Sequence, residues 1–254
     1  DGVHRGHQAI LRKLTAGAHA EGVPAVVLTF EPHPLAVLRP ERVPLILTPL
    51  EEKARLLEDL GVDYVIAHPF DREVAAQTAR EFLVAVKARL GFTRFWVGYD
   101  FAMGRNREGD QHTLHALGAE MGYTLEVVAP TAMEGEVVSS SQVRAMLAAG
   151  QVEKAAEMLS RPYSLTGQVV EGARRGRTLG IPTANVVVPA GRAVPLSGVY
   201  VCRARVNGKI WGAATNVGVR PTFEAENVPV SVEAHLLDFD QEIYGETVQL
   251  DFLA

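Results

Sequence analysis

Two histidines near the start of the chain have a spacing that suits phosphate binding. His4 and His7 flank Arg5-Gly6 and precede apolar residues that recur at helical spacing, namely Ala9, Ile10, Leu14 and Ala18. The spacing predicts a turn that leads into the N-terminus of an amphipathic helix. Such an end carries free backbone N–H groups and a partial positive charge, so it attracts phosphate. Gly6 would allow a close approach and both imidazoles could donate hydrogen bonds; two surface histidines near a helix cap are the alternative.

Two further segments put polar side chains at the ends of predicted elements. Asp100 follows a predicted strand, in a glycine-bracketed loop that continues into basic residues. Farther along, Ser140 or Ser141 is predicted to cap a helix. Arg144 then lies in the first turn of that helix, where the helix dipole disfavours a cation. A bound anion would relieve this conflict, so we interpret Arg144 as a phosphate ligand; a solvated arginine is the alternative.

Taken in order, these segments resemble the flavin-type nucleotidylyltransferases, specifically the adenylyltransferase half of bifunctional bacterial riboflavin kinase/FAD synthetases. The motifs that carry the resemblance are Asp1-Gly2-Val3-His4-Arg5-Gly6-His7, Thr29-Phe30-Glu31-Pro32-His33-Pro34, Gly98-Tyr99-Asp100-Phe101 with Gly104, and Ser139-Ser140-Ser141-x-Val143-Arg144. The resemblance implies ATP-dependent adenylylation of FMN to FAD with release of pyrophosphate. It also implies that Asp100 and its loop hold the phosphate side of the flavin, and that Ser140 and Ser141 help to seat the ATP phosphates. His33 could serve this site or be structural.

The residue types fit this reaction. The attacking phosphate of FMN is already ionised near neutral pH, so no general base is required. What the site must supply is alignment, and positive charge for the α-phosphate of ATP and the departing pyrophosphate. We assign this role to His4, His7 and Arg144, together with the helix N-termini.

A glycine-rich segment in the second half of the chain could cradle phosphates. Gly172, Gly176 and Gly180 punctuate a loop whose N–H groups could wrap phosphate, and a polar hairpin loop is the alternative. The sequence has no P-loop or kinase-type glycine loop, so any use of ATP here requires another fold. Thr183 and Asn185, held two apart on a proline-stiffened extended backbone, present two neutral oxygens on one side. Such a pair suits a Mg²⁺ ion that keeps most of its ligands as water and phosphate.

Glu233 is a candidate general base. Strand alternation puts the apolar residues of its segment on one face and Glu233 on the other, the apolar residues being Val230, Val232, Ala234 and Leu236. A lone glutamate on an outer face is usually a solvated charge. An alcohol is a poor nucleophile, however, so a kinase that phosphorylates a hydroxyl group benefits from such a carboxylate.

The context of Glu233 looks like the riboflavin kinase family. The matching motifs are Pro182-Thr183-Ala184-Asn185, Thr215-Asn216-Val217-Gly218-Val219-Arg220-Pro221-Thr222-Phe223, Val232-Glu233, Asp238-Phe239 and Tyr244-Gly245. The resemblance implies that Thr183 and Asn185 bind Mg-ATP, that Asn216 contributes to cofactor binding, and that Glu233 deprotonates the ribityl hydroxyl of riboflavin. FMN would be the product of this half and FAD the product of the other, with ATP as co-substrate and Mg²⁺ as cofactor of both.

The predicted elements that must position these residues differ between the two halves of the chain. Helices and apolar strands alternate in the first part, which predicts an α/β domain with a doubly wound, Rossmann-like sheet and ligands at the carboxyl ends of its strands. Later, short alternating strands punctuated by glycine predict a small antiparallel β-barrel, with strands at 165–170, 199–206, 209–217, 230–237 and 247–252. We put the boundary near Arg161-Pro162, giving an adenylyltransferase domain over 1–161 and a riboflavin kinase domain over 162–254.

Composition excludes several functional and structural classes of protein. The 254 residues carry a net charge of −5, which argues against a nucleic-acid binder. No apolar run could span a bilayer and no signal segment is recognisable, so we expect a cytoplasmic protein. The single cysteine, Cys202, excludes an internal disulfide, and its strand position predicts a core thiol. We expect riboflavin, FMN and ATP as small-molecule partners and allow for a homo-oligomer. Because the chain begins inside a motif that should follow a strand, we expect it to be truncated at its N-terminus. The resemblance to riboflavin kinases, which continue past a segment like 250–253, implies truncation at its C-terminus as well.

Two other functions compete with this interpretation. One is an adenylyltransferase for a different acceptor, such as a nicotinate or pantetheine phosphate, joined to an unrelated barrel. The other is a non-catalytic flavin or nucleotide sensor that retains the pockets. The complete set from Pro182 to Asn185 with Glu233 argues against the first. The presence of groups needed only for chemistry, namely His4, His7, Arg144 and Glu233, argues against the second.

Overall fold

The computed structural model of the chain describes residues 1–133, 135–171, 183–219 and 230–254. These residues form two compact units. The first comprises Asp1, Val3–Pro44 and Thr48–Val138, and the second comprises Gly2, Leu45–Leu47 and Ser139–Ala254. The boundary between two catalytic domains near Arg161-Pro162 stays a prediction.

The first unit alternates helices and strands. Its helices are α1 (Arg5–Ala20), α2 (Pro34–Leu38), α3 (Leu50–Glu58), α4 (Arg72–Ala76), α5 (Ala79–Leu90) and α6 (Gln111–Met121). Its strands are β1 (Val26–Glu31), β2 (Tyr64–Pro69), β3 (Arg94–Gly98), β4 (Thr124–Val128), β5 (Ala132–Met133) and β6 (Glu136–Val137). The predicted α/β class is confirmed.

The parallel strands of this unit are hydrogen-bonded in pairs. Strand β1 pairs with β2 and strand β3 pairs with β4, both in parallel register. Among the described residues, no strand hydrogen-bonds the two pairs into one continuous sheet. Because the strands of each pair are parallel, both strands of a pair end at the same edge. The loop that follows β1 and the loop that follows β3 therefore each leave from the carboxyl edge of their own pair, where ligands bind in sheets of this class.

Local signals explain why the helices begin and end where they do. Thr78 caps α5 in a reciprocal capping box with Glu81, and Gly91 ends the helix in the left-handed conformation, with a φ of 62°. Asp110 caps α6 by accepting a hydrogen bond from the backbone N–H of Thr113. Two buried apolar clusters hold this unit, one around Leu83 and Leu114, and one that contains Val3, Leu11, Leu57 and Val62.

The second unit contains two helices and a closed barrel. The helices are α7 (Ser140–Ala148) and α8 (Val152–Leu159), and the strands are β7 (Tyr163–Val170), β8 (Ala184–Val187), β9 (Gly198–Val206), β10 (Lys209–Val219), β11 (Val230–Leu236) and β12 (Thr247–Phe252). Every neighbouring pair is antiparallel, and the order around the barrel is β10-β11-β8-β7-β12-β9. The predicted small antiparallel barrel is confirmed.

The barrel interior is apolar and well filled. Phe252, Leu250 and Leu165 are completely buried, and Cys202 lies among them. Burial raises the pKa of the Cys202 thiol to about 11, so the thiolate is scarce near neutral pH. The residue acts as a small apolar core side chain, as the sequence predicts.

One strand of the barrel was not predicted from the sequence. Strand β8 has only four residues, which we interpreted as a stiffened extended segment, yet it lies between β7 and β11 and closes the barrel. Within the part of the chain that the structure describes, no helix combines the length and the apolar character needed to cross a membrane.

Gly167→Ala is expected to destabilise the barrel by about 2 kcal/mol or more, because overpacking against backbone cannot be relieved by a side-chain rotation. A Cβ atom at Gly167 would lie 2.1 Å from the carbonyl oxygen of Val187 and 2.8 Å from Cγ1 of Val186. Gly198→Ala is the matched control in the same barrel, since its added Cβ has no neighbour closer than 3.7 Å. Urea unfolding followed by Trp211 fluorescence measures both variants, and equal midpoints would contradict the packing argument.

Candidate functional site

The two histidines lie together at the start of α1. His4 is the N-cap residue and is buried, with 7% of its surface exposed, and the rings of His4 and His7 stack with centroids 3.8 Å apart. Gly6 leaves room for the His4 ring, because a Cβ there would lie only 3.1 Å from it. The predicted helix start is confirmed, and the two imidazoles form one paired group.

His7 is held in its neutral form. Burial lowers the pKa of His7 well below its usual value, and the positive charges of the α-amino group, His4 and Lys53 lower it further. A neutral imidazole carries one N–H donor and one acceptor nitrogen. At neutral pH His7 therefore offers phosphate a hydrogen bond rather than the full positive charge that we expected of it.

Lys53 is a residue near this group that the sequence analysis did not single out. It lies in α3, and its Nζ atom donates a hydrogen bond to Oγ1 of Thr29 in β1 at 3.3 Å. Burial lowers the pKa of Lys53, and the carboxylate of Glu31 partly offsets this shift. A polar threonine inside the otherwise apolar strand 23–30 was the sequence signal for such a partner.

The loop after β3 lies beside α1. A Cβ atom at Gly98 would be 3.4 Å from Cδ1 of Ile10 and 3.5 Å from Oδ1 of Asp100, so Ile10 of α1 lies close to the end of the strand. Asp100 is exposed, and its carbonyl oxygen accepts a hydrogen bond from Nη2 of Arg107 at 3.2 Å. The structure thus brings the loop of Asp100 next to the helix that carries the histidines.

The same loop is folded back on itself. Met103 and Gly109 exchange two backbone hydrogen bonds of 3.1 and 2.9 Å. The carboxylate of Glu108 accepts a hydrogen bond from the backbone N–H of Ala79 at the start of α5, at 2.7 Å. The side chains of Tyr99 and Phe101 are left exposed on either side of Asp100.

His33 has an observed structural role. It is the N-cap residue of α2, and its Nδ1 atom accepts a hydrogen bond from the backbone N–H of Leu35 at 3.2 Å. Of the two alternatives that the sequence leaves open, the structural one is therefore directly supported.

The serine segment belongs to the second unit, and one expectation about it is wrong. The cap of α7 is Ser139, whose Oγ accepts a hydrogen bond from the backbone N–H of Gln142 at 3.3 Å. Ser140 and Ser141 instead occupy the first turn, because capping by Ser139 starts the helix one residue earlier.

Arg144 lies one turn into α7. Its Nε atom donates a hydrogen bond to the carbonyl oxygen of Leu45 at 2.5 Å, which orients the guanidinium group. Burial lowers the pKa of Arg144 from its very high ordinary value, and the group stays a cation at neutral pH. Arg144 thus lies at the start of the second turn, not in the first turn as predicted, and its positively charged side chain is fixed by a backbone contact.

In the barrel, three candidate residues form a row across neighbouring strands. Asn185 of β8 is directly opposite Glu233 of β11, and Glu233 is directly opposite Asn216 of β10. Directly opposed residues project from the same face with Cβ atoms about 4.5–5.5 Å apart. The adjacent positions Val232 and Ala234 are buried in the barrel, so the row is on its outer face, as predicted for Glu233.

Thr183 directly precedes β8 and is partly buried. The glycines of the predicted phosphate loop, Gly172, Gly176 and Gly180, lie outside the described residues. The row and Thr183 therefore constitute the described part of this site.

The donor set suits a hard cation that is shared with phosphate. In the described ranges there is no group of three or more histidine, cysteine, aspartate or glutamate side chains that could hold a metal ion. The side chains of Thr183, Asn185 and Glu233 each carry oxygen, which is the ligand type that Mg²⁺ prefers. Because Mg²⁺ commonly keeps water and phosphate ligands, a small set of protein oxygens is sufficient.

Comparison with known proteins gives concordant results for both halves. A family model described as FAD synthetase matches residues 1–142, and one described as riboflavin kinase matches residues 159–254. The bifunctional riboflavin kinase/FMN adenylyltransferase of Pseudomonas fluorescens is 39% identical over 253 residues, spanning 99% of this chain and 80% of the relative. Those of Bacillus subtilis (strain 168) and Escherichia coli (strain K12) are 35% and 38% identical and are also covered to 80% of their length, spanning 99% and 98% of this chain.

A solved structure is similar as well. A crystal structure described as the macrolide-efflux protein from Streptococcus pneumoniae has a TM-score of 0.90 and 32% sequence identity. The match covers 100% of this chain and 82% of that chain.

The neutral state of His7 predicts a pH dependence of stability. Because its pKa is lower in the folded chain than in the unfolded chain, the unfolded state binds more protons below about pH 6.5, and stability falls as the pH falls through that window. His7→Gln is expected to reduce the loss of unfolding free energy between pH 7.5 and 5.5 by about 1 kcal/mol. Urea titrations followed by Trp96 fluorescence in a Trp211→Phe background report on the first unit.

Replacement of the exposed His115 by glutamine is the control and should leave the slope of the wild type unchanged. A His7→Gln variant whose stability falls with acid as steeply as that of the wild type would show that His7 is not held neutral.

Proposed function

The chain belongs to the family of bifunctional riboflavin kinase/FMN adenylyltransferases, and on that premise we propose how its two parts make flavin cofactors. The barrel phosphorylates riboflavin to FMN, and the α/β part adenylylates FMN to FAD, each with ATP. The observation that carries the assignment of chemistry is the row Asn185, Glu233 and Asn216, which holds one carboxylate between two amides on adjacent strands.

For the kinase reaction, Glu233 is the proposed general base. The ribityl hydroxyl of riboflavin loses its proton to the Glu233 carboxylate as its oxygen bonds to the γ-phosphorus of ATP. The bond from that phosphorus to the bridging oxygen breaks, and ADP leaves with the electron pair. Asn185 and Asn216 flank the carboxylate across the sheet, and we assign them to orienting the base and the nucleotide.

Mg²⁺ fits the oxygen donors of this region, and Thr183 and Asn185 are the residues proposed to hold it. When bound, the ion would neutralise charge that develops on the phosphates. Gly172, Gly176 and Gly180 are proposed from the sequence to wrap the same phosphates.

For adenylyl transfer no base is proposed. An anionic phosphate oxygen of FMN bonds to the α-phosphorus of ATP, and pyrophosphate departs with the electron pair of the broken bond. His4 and His7 donate hydrogen bonds, Arg144 supplies charge, and Ser140 and Ser141 seat phosphate oxygens. Asp100 with its loop is assigned to the side of the flavin phosphate, next to α1.

The alternatives receive less support. An adenylyltransferase for another acceptor does not explain a riboflavin kinase match over 159–254, and a sensor has no need of Glu233 as a base. We retain 1–161 and 162–254 as the proposed catalytic domains. A cytoplasmic location and a homo-oligomeric state stay predictions from the sequence.

Glu233→Gln is expected to lower the rate of FMN formation at least about a hundredfold, the scale of a lost general base. FAD formation from supplied FMN should stay within twofold of the wild type. Chromatographic resolution of riboflavin, FMN and FAD after incubation with Mg-ATP measures both steps. Glu246→Gln is the matched control, since it removes the same charge from an exposed position of the same barrel. Equal losses in both reactions would refute two separate sites, and wild-type production of FMN alone would refute the adenylyl-transfer half.

Arg144→Ala should give the reciprocal result. Loss of a charge-assisted contact to phosphate is expected to slow FAD formation from FMN by about ten- to a hundredfold, with FMN formation retained. Because Arg144 also contacts the carbonyl of Leu45, thermal unfolding is measured alongside activity. An Arg144→Ala chain that is folded and makes FAD at the wild-type rate contradicts its role as a phosphate ligand.

A further inference from the structure

Lys53 is a cation whose immediate contacts do not neutralise it. Its ammonium group is partly buried between α3 and the end of β1, where its one hydrogen bond, at 3.3 Å, goes to the neutral hydroxyl of Thr29. Within the described ranges of the chain, Lys53 forms no ion pair at 4.0 Å or less. An ammonium group has three N–H donors, so most of its donor capacity is not used by a strong protein acceptor.

The surroundings of Lys53 are rich in donors. Its charge acts on His7, whose pKa it helps to lower, so the ammonium is close enough to the stacked imidazoles to be felt electrostatically. Glu31 is the carboxylate that acts on Lys53 in return; it is two residues beyond Thr29 and is exposed at the end of β1. The hydrogen-bond donors of the histidine pair and the positive charge of Lys53 therefore lie within electrostatic reach of each other.

A purely structural role does not account for this arrangement. A partly buried ammonium loses hydration, and a single long hydrogen bond to a hydroxyl restores little of it. A methionine or leucine would fill the same volume without that cost, since straight apolar side chains pack well in partly buried helix positions. The retained charge points to an anion that compensates it when the site is occupied.

We propose that Lys53 is a further phosphate-binding residue of adenylyl transfer, and that its ammonium group contacts the phosphates of ATP that leave as pyrophosphate. This assignment rests on the proposed function of the first unit. Because His7 is neutral, Lys53 supplies the positive charge that the imidazole pair does not. Thr29 keeps the flexible side chain directed to that position through its hydroxyl.

The step is balanced without a proton or a redox partner. A phosphate oxygen of FMN forms a bond to the α-phosphorus of ATP, the bond from the α-phosphorus to the oxygen that bridges to the β-phosphate breaks, and pyrophosphate takes the electron pair. Charge therefore grows on the bridging oxygen, where an ammonium group is most effective. In the reverse direction, the same group binds the attacking pyrophosphate.

The reverse reaction provides the test, because pyrophosphate and FAD are consumed only at the adenylyl-transfer site. The full chain is assayed for ATP formation from FAD and pyrophosphate as wild type, Lys53→Met and Lys53→Arg. Lys13→Met serves as the matched control, since Lys13 is an exposed lysine of α1. We expect Lys53→Met to raise the KM for pyrophosphate at least tenfold, equivalent to about 1.4 kcal/mol. The KM for FAD should stay within twofold, Lys53→Arg should recover most of the effect, and Lys13→Met should change nothing.

Two results would overturn the assignment. One is a Lys53→Met chain whose KM for pyrophosphate and kcat stay within twofold of the wild type. The other is equal loss in Lys53→Met and Lys53→Arg accompanied by a lower melting temperature, which identifies a structural role. Riboflavin phosphorylation by the barrel, measured in the same samples, verifies that the chain is intact.

A direct binding measurement separates this inference from the proposed function. Pyrophosphate is titrated into the wild type and Lys53→Met while the imidazole ¹⁵N shifts of His7 are followed by NMR. A shift in the wild type that is lost in Lys53→Met supports the phosphate contact, even if the wild-type chain makes no FAD and the proposed function fails. No shift in the wild type overturns the contact whatever the activity.

Discussion

The register of three antiparallel strands is the constraint on which the kinase half depends. Asn185, Glu233 and Asn216 come from segments far apart in the sequence, and only the pairing of β8 with β11 and of β11 with β10 sets them side by side. A slip of one residue would turn Glu233 into the barrel interior and would expose Val232 and Ala234, which are now buried. The same hydrogen bonds that close the barrel therefore also position Glu233, the proposed base, so on this proposal stability and catalysis share one set of interactions.

The first unit is proposed to catalyse a reaction that needs hydrogen-bond donors and not a general base. Its nucleophile arrives as an anion, so the unit supplies donors at the start of α1 rather than a base. Stacking of His4 on His7 and the absence of a side chain at Gly6 bring the imidazoles together. Burial keeps His7 neutral, which leaves Lys53 to carry positive charge in this unit. On the proposed function, hydrogen-bond donors in one unit and a carboxylate in the other serve the two reactions on phosphates.

Much of this could be predicted from sequence because the signals are local. The capping box of Thr78 and the left-handed Gly91 fix α5 from neighbouring residues, and alternation in 230–236 gives the outward face of Glu233. Other features depend on contacts that the sequence does not encode locally. Strand β8 is too short to be recognised without its partner strands. The three consecutive serines are equally good helix caps by residue type, and only the hydrogen bond from the backbone N–H of Gln142 identifies Ser139 as the cap. Lys53 was missed because its partner Thr29 is 24 residues away.

The central claim is that Glu233, held between two amides, removes the proton from the alcohol that is phosphorylated. A crystal structure of the full chain with riboflavin, Mg²⁺ and a non-hydrolysable ATP analogue tests this most directly. The account predicts a carboxylate oxygen of Glu233 within about 2.6–3.2 Å of the terminal ribityl hydroxyl, with Asn185 and Thr183 on the nucleotide side. A Glu233 carboxylate that faces away from this hydroxyl, with no cleft that joins it to Thr183 and Asn185, would contradict it.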